Sequence, residues 1–261
     1  MRKIAHNFQV VQALASSVTE FGRGMMGTPF PKQPQKPLKL YEYEASPFCR
    51  RVREVLTLLN LDVEIYPCPR GGERFRKEVI ALGGKAQFPF LVDENTGDHL
   101  YESTDIIQHL FKHYSADGKV PLTYRFYPNL PIVAGAGTLI NGLYGAVACG
   151  TNKKREAPKQ LLELWSFEAS PFSRVVRGKL TELEIPYILH NVAKERWQDQ
   201  GLAALRLKPG KYTPLKGGKR EQVLKIMGDN IQVPYLKDPN TGVELFESEK
   251  IVQYLKKQYA S

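Results

Sequence analysis

Short hydrophobic runs alternate along this chain with segments whose apolar residues recur at helical spacing. Residues 40–43 form a β-favouring run, which Ala45-Ser46-Pro47 interrupts. Serine suits the N-cap of a helix and proline its first turn, so we predict a helix from Pro47 to about residue 60. The pattern continues with a strand at 63–66, a helix at 74–82, a hairpin that turns at Asn95-Thr96-Gly97, and a helix that begins at Ser103. The predicted order of elements is β-α-β-α-β-β-α.

The same pattern occurs a second time. Glu-Ala-Ser-Pro-Phe stands at 44–48 and again at 168–172. Each occurrence is followed by a proline before a hairpin and by Glu-Ser at the start of the last helix, at Pro89, Glu102-Ser103, Pro234 and Glu247-Ser248. A repeat unit of about 75–100 residues has the length of a domain, so we predict a tandem duplication of one small α/β domain. The predicted boundaries are 1–39 for an N-terminal extension, 40–114 for the first copy, 115–163 for a linker and 164–261 for the second copy.

The second copy is longer than the first. Equivalent residues lie 124 positions apart at Ser-Pro-Phe and 145 apart at the later proline, which leaves about 21 additional residues. Much of this insertion is the basic, glycine-containing stretch 206–220, which has no phosphate-loop spacing. We expect a solvated surface loop, and the alternative is an anion-binding loop at the border of a site.

Two segments outside the copies allow more than one interpretation. Residues 1–39 hold a single acidic residue, Glu20, and end in a proline-rich run. They fit either the end of an organellar presequence or a helical extension over residues 10–21. Residues 126–152 hold no charged residue. We predict that they belong to a buried, helical linker; membrane association is the weaker alternative, because glycines and polar residues make the stretch only weakly hydrophobic.

The composition is that of a soluble globular protein, with 42% hydrophobic and 25% charged residues. The net charge of +10 comes from scattered basic residues and fits either a solvated surface or affinity for small anions. There is no recognition helix, zinc finger or aromatic RNA-binding motif, so we predict no nucleic-acid partner. Cys49, Cys68 and Cys149 are too few for a disulfide scaffold and fit a reducing compartment. The five histidines form no ligand-spaced cluster with these cysteines, so no metal site is predicted.

In element order and motifs, each copy resembles the thioredoxin or glutaredoxin fold, in the variant that forms the N-terminal domain of glutathione S-transferases. The resemblance covers residues 40–114 and 164–259 and rests on Ser-Pro-Phe-Cys/Ser, the proline before the hairpin, and Glu-Ser. It implies an α/β protein of two tandem thioredoxin-like domains, each a mixed four-stranded sheet flanked by helices. It also implies a cis peptide bond before Pro89 and Pro234, although X-Pro bonds are mostly trans by default.

The resemblance implies a glutathione site in each copy. Ser46 and Ser170 match the position that meets the sulfur of glutathione, where a hydroxyl and a helix N-terminus would stabilise a thiolate. The alternative is that each serine is only an N-cap. In the family, Glu-Ser binds the γ-glutamyl end of glutathione, and the backbone before the proline pairs with its cysteinyl segment. The matching residues are Phe88, Pro89, Glu102 and Ser103 in the first copy, and Val233, Pro234, Glu247 and Ser248 in the second. Of the two copies, we expect the first to hold the glutathione site.

A dithiol reductase cycle is not expected. Glutaredoxins carry their nucleophilic cysteine where both copies of this chain have serine. Cys49 matches the resolving cysteine, and Ser173 replaces it in the second copy. One interpretation is that the helix N-terminus, Arg50 and Arg53 favour the Cys49 thiolate and a mixed disulfide. The other is a half-buried thiol without a chemical role.

The predicted function is binding of glutathione or another small thiol, and the sequence leaves open whether the chain is a transferase-like or thiol-redox enzyme. Ordinary glutathione transferases follow this domain with a helical domain that binds the electrophile, whereas here only about 50 residues separate the two copies and then the domain repeats. The main alternative is a non-catalytic binding or scaffold protein with a protein partner. The resemblance extends to tandem proteins of plant and algal plastids, which implies a chloroplast location.

Overall fold

The computed structural model describes residues 2–19, 23–125, 144–149, 157–199, 212–228 and 230–260. The first copy has the strands β1 Leu38–Glu42, β2 Val63–Pro67, β3 Phe90–Asp93 and β4 Asp98–Leu100, and the helices α2 Pro47–Leu58, α3 Arg76–Gly83 and α4 Ser103–Tyr114. The second copy has β5 Leu162–Ser166, β6 Tyr187–Asn191, β7 Tyr235–Asp238 and β8 Val243–Phe246, with α6 Pro171–Glu182, α7 Lys219–Met227 and α8 Ser248–Tyr259. Outside the copies lie α1 Arg2–Thr19 and the short α5 Leu122–Arg125. The predicted order of elements is confirmed in both copies.

The two copies share one eight-stranded sheet, in the order β4-β3-β1-β2-β6-β5-β7-β8. Within each copy the first two strands are parallel and the other pairs are antiparallel, which confirms the mixed four-stranded sheets. The edge strands β2 and β6 pair antiparallel across the junction, with Ile65 opposite Tyr187. Each of these strands would be an exposed edge if its copy stood alone. Pairing with the other copy satisfies the backbone N–H and C=O groups along that edge.

The hydrophobic core is continuous across this junction. Val52 and Val55 of α2 pack in the same buried cluster as Val176 and Leu180 of α6, together with the inner faces of α4 and α8. These residues recur at helical spacing, so one face of each helix is apolar and covers the sheet.

The repeated glutamates and arginines of the motif meet in a buried cluster at the junction. Arg53 Nε donates to Glu168 Oε2 at 2.9 Å, and Arg177 Nε donates to Glu44 Oε2 at 3.0 Å. Arg53 and Arg177 are equivalent residues, and so are Glu44 and Glu168, so the two contacts are related by the repeat. Arg53 also pairs with Glu42. The motif charges thus hold the copies together.

The segment before each copy contacts the opposite copy. Gly24 precedes the first copy, and its carbonyl accepts a hydrogen bond from Ala169 N at 3.0 Å. A Cβ on Gly24 would lie 2.6 Å from Glu168 Cβ, and one on Gly145 would lie 2.9 Å from Glu44 Cβ. Both glycines have positive φ, 73° and 77°, so no other residue fits there without strain.

Predictions were also made for the two segments outside the copies, the N-terminal extension and the uncharged linker stretch. A helix does form in the N-terminal extension, as α1, and it packs against α6 of the second copy. Most of the uncharged stretch 126–152 lies outside the described residues. Among the helices that the structure describes, none is long and apolar enough to cross a membrane.

The prediction that 206–220 forms a solvated surface loop is wrong for the C-terminal end of this stretch. Residues 206–211 of this stretch lie outside the described residues, but Lys219 and Arg220 open α7 and are only 8% and 7% exposed. Lys219 Nζ donates to Asn60 O at 2.8 Å and thereby ties α7 to the first copy. Arg220 Nε donates to the hydroxyl of Tyr212 at 2.7 Å.

Candidate functional site

Ser46 lies at the N-terminus of α2 with its side chain turned into the protein. Its Oγ accepts a hydrogen bond from Cys49 N at 3.2 Å, so it caps the helix, and the residue is 1% exposed. The Tyr43 hydroxyl and the Cys49 thiol lie close enough to it for Ser46 to lower the pKa of both groups in part. This arrangement favours the capping role of Ser46 over contact with a ligand.

The expected activation of Cys49 is wrong. Its thiol is fully buried, and burial, together with the nearby Glu42 carboxylate, raises its pKa to about 12. The arginines that were expected to favour the thiolate pair with carboxylates instead. Arg50 contacts Glu54 at 3.4 Å, and Arg53 lies between the glutamates of the junction. The thiolate population is therefore negligible at neutral pH.

The remaining site positions of the first copy have the backbone geometry that the resemblance implies. The Phe88-Pro89 peptide bond is cis, as expected. Glu102 has φ 60° and ψ 118°, a strained conformation for a residue other than glycine, and its carboxylate accepts a hydrogen bond from Gln87. Ser103 is buried, and Arg51 Nη1 donates to its Oγ at 3.2 Å. A guanidinium is thus already bound to the hydroxyl that would meet a ligand carboxylate.

The second copy places five of its six matching positions, all but Ser173, around one cavity of about 600 Å³. The Val233-Pro234 peptide bond is cis, and Glu247 repeats the strained backbone of its counterpart, with φ 68° and ψ 117°. The volume lies in the range of small-molecule sites. The lining includes the predicted residues Ser170, Val233, Pro234, Glu247 and Ser248, and the unpredicted residues His6, Asn7, Phe167, Lys194, Asp199, Tyr212 and Arg220.

Ser170 differs from its first-copy counterpart in what surrounds its hydroxyl. Its Oγ accepts hydrogen bonds from Ser173 N at 3.3 Å and from Ser173 Oγ at 2.9 Å. Tyr43, the residue near Ser46 in the first copy, has Phe167 as its counterpart here, which has no hydroxyl. Because both bonds use the oxygen of Ser170 as acceptor, its own hydrogen can be donated into the cavity.

The N-terminal helix contributes to this cavity from the other side. His6 of α1 lies with its Nε2 3.0 Å from Ser248 Oγ, the hydroxyl at the start of α8. Burial lowers the pKa of His6. The imidazole is therefore neutral at pH 7, and it shares a hydrogen bond with the group that is expected to meet a carboxylate.

Both cations and anions line the cavity wall. Arg220 is held by Tyr212 and by the carbonyl of Val192, which accepts from its Nη1 at 3.1 Å. The Lys194 ammonium lies 6.0 Å from the centre of the Phe167 ring. Acidic groups line the cavity at Asp199, Glu247 and Glu249. A wall with both signs of charge suits a small zwitterionic ligand more than a simple anion.

Sequence reasoning missed the residues that reach the cavity from outside the motifs. His6, Lys194 and Arg220 belong to an extension, a loop and an insertion, where one sequence gives no partner. It also missed a group in the first copy, in which Asp98, His109 and His113 bring their ligand atoms within 4.8 Å of one another. The available signal was the pair of histidines four residues apart on one helix, α4. It was missed because histidines were considered as ligands only together with cysteines.

Comparison with protein families matches residues 40–118 and 164–261 to the family described as "Glutathione S-transferase, N-terminal domain". No curated protein and no solved structure matches the chain. The two matched segments coincide with the two β-α-β-α-β-β-α units of the structure and together make up more than half of the chain. The chain therefore belongs to the family of glutathione S-transferase N-terminal domains, whose pattern it carries twice.

Proposed function

We propose that this protein binds glutathione, or a similar small γ-glutamyl thiol, in the cavity of the second copy. The observation that carries the proposal is the convergence of Ser170, cis-Pro234 and Ser248 on one cavity of suitable volume. These are the positions that the family uses for the thiol, the cysteinyl backbone and the γ-glutamyl carboxylate.

Each group of the ligand has a partner in this arrangement. The γ-glutamyl carboxylate would meet Ser248 and the N-terminus of α8, and the ammonium would meet Glu247. The sulfur would lie at Ser170, whose hydroxyl hydrogen favours a thiolate. The glycyl carboxylate would pair with Lys194 or Arg220, the cations among the lining residues.

The first copy supports binding less directly. Ser170 and Ser248, although as buried as their first-copy counterparts, line the cavity of the second copy. In the first copy the buried Cys49 thiol lies beside Ser46, and Arg51 donates to Ser103. These observations favour a non-catalytic first copy that stabilises the second through the shared sheet. We further propose that the protein performs no dithiol exchange and that transferase turnover, if present, takes place at Ser170. The plastid location remains a prediction, which imaging of a fluorescent fusion to the full chain would test.

The test is a calorimetric titration of reduced glutathione into the full chain and two matched double variants. Glu247→Ala/Ser248→Ala should lose binding by about 10-fold or more, because it removes a charged and a neutral hydrogen bond. Glu102→Ala/Ser103→Ala is the control in the first copy and should bind as the wild type does. Equal loss in both variants, or loss only in the first-copy variant, contradicts the assignment to the second copy. No binding by the wild type at millimolar glutathione contradicts the proposed function itself.

A further inference from the structure

The first copy holds a group of metal-ligand side chains on the face of the sheet covered by α4. His109 and His113 are one helical turn apart, with ring centres 4.5 Å from each other. Asp98, the first residue of β4, places its Oδ2 3.5 Å from His109 Nδ1. The three candidate ligand atoms all lie within 4.8 Å of one another.

A buried carboxylate orients the central histidine. His109 Nε2 lies 2.8 Å from Asp93 Oδ2, and Asp93 also accepts from the hydroxyl of Tyr114 at 2.6 Å. Asp93 is held in place on its other oxygen by the side-chain amide of Asn95, which donates to Oδ1 at 2.8 Å. With Nε2 engaged by Asp93, Nδ1 of His109 is the ring nitrogen that faces Asp98. Metal-bound histidines commonly have such a carboxylate on the other ring nitrogen.

The equivalent positions of the second copy do not carry the three metal-ligand side chains. Asp238 and Tyr259 repeat the carboxylate and the tyrosine, but Tyr254 stands in place of His109 and donates to Asp238 at 2.6 Å. Val243 and Gln258 stand in place of Asp98 and His113. The hydrogen bond to the buried carboxylate is therefore structural in both copies, whereas the three ligand types occur together only in the first.

We propose that Asp98, His109 and His113 bind a divalent transition metal ion, with Zn²⁺ as the best-matched probe. Two imidazoles and one carboxylate form a ligand set that suits zinc, with water in the remaining position. Metal–nitrogen bonds of about 2.1 Å require the ligand atoms to approach by roughly 1 Å. Asp98 and His113 are half-buried rather than locked in the core, so they can move that far.

The experiment is a Zn²⁺ titration of the full chain against a chromophoric chelator, without glutathione, in a Cys149→Ser background. This background removes the exposed thiol as a competing ligand. The test variants are His109→Tyr and His113→Gln, which copy the second copy and are therefore compatible with the fold. His99→Gln, an exposed histidine of β4, is the matched control.

The expected result is one Zn²⁺ per chain, with affinity reduced more than about 10-fold in both test variants and unchanged in the control. Cobalt substitution should give a visible spectrum of nitrogen and oxygen ligands, without the intense near-ultraviolet band of thiolate coordination. The proposal is overturned if the wild type shows no saturable binding, or if His113→Gln binds as tightly as the wild type. Because no step involves glutathione, these outcomes are independent of the second-copy cavity.

Discussion

The sharpest test of the fold is the removal of Arg177 from the buried cluster at the junction. Its side chain is 1% exposed, and its guanidinium binds Glu44 through two bonds, Nε to Oε2 at 3.0 Å and Nη2 to Oε1 at 3.1 Å. Nη1 also donates to Ser166 Oγ at 3.0 Å. Arg177→Met keeps much of the volume but leaves a buried carboxylate without its bidentate partner.

The expected cost follows from what remains near Glu44. Removal of one partner of a buried ion pair typically costs about 3–5 kcal/mol. Arg53 at 3.4 Å and Arg174 at 3.6 Å still face the Glu44 carboxylate. We therefore expect the lower end of that range, about 3 kcal/mol. Arg177→Met/Glu44→Gln should cost clearly less than the two single changes together, with a coupling free energy of about 2 kcal/mol.

Urea unfolding followed by tryptophan fluorescence and far-ultraviolet circular dichroism measures this free energy. Because the copies share one sheet and one core, the two signals should change in a single transition. Lys39→Met is the control, since Lys39 pairs with Glu94 at the exposed surface and its loss should cost no more than about 1 kcal/mol. If Arg177→Met costs no more than this control, the cluster is effectively hydrated and does not hold the copies together.

Three further predictions concern single side chains. Cys149 should react with a thiol reagent in the native protein, whereas Cys49 should react only after unfolding, because burial raises its pKa to about 12; native labelling of Cys49, located by peptide mass spectrometry, would refute this. Ser46→Ala and Ser170→Ala should each lower the free energy of unfolding by about 1 kcal/mol as lost caps. Only Ser170→Ala should also reduce the preference for glutathione over S-methylglutathione in calorimetry, and an equal effect of both changes would contradict the difference between the copies. Burial raises the pKa of Glu42 from 4.5 to about 7, so the folded state holds its proton more tightly, and the free energy of unfolding should fall as pH rises through this range. Glu42→Gln should remove up to about 3 kcal/mol of this pH dependence in urea titrations at pH 5 and pH 8, and an unchanged slope would show that Glu42 is already ionised at pH 5.

The elements within each copy could be predicted because their signals are local. Ser46 caps α2 through a bond to a residue three positions away, and the turn at Asn95-Thr96-Gly97 needs only its own backbone. The strained Glu102 and the cis-Pro89 could not come from local propensity. The family resemblance predicted the cis bond, which is confirmed, whereas the strained backbone of Glu102 was not predicted.

The junction could not be predicted because its partners are far apart in the chain. Arg53 and Glu168 are separated by 115 positions, and nothing near either residue indicates that it is buried. Charged side chains are mostly exposed, so a motif arginine is naturally assigned to the surface or to a nearby thiol. Similarly, β2 has an ordinary strand sequence, and whether its outer edge meets solvent or β6 depends on the second copy.

The shared sheet gives the chain the interface of a symmetric homodimer within a single polypeptide. In a homodimer every substitution appears at two equivalent places, so a change that helps one subunit must be tolerated by the other. Here the halves are encoded separately, and each can change alone while the linker keeps them at high effective concentration. The asymmetries around the junction agree with this freedom. Glu42 has Ser166 as its counterpart, and His109 has Tyr254. His6 contributes to the cavity of the second copy alone.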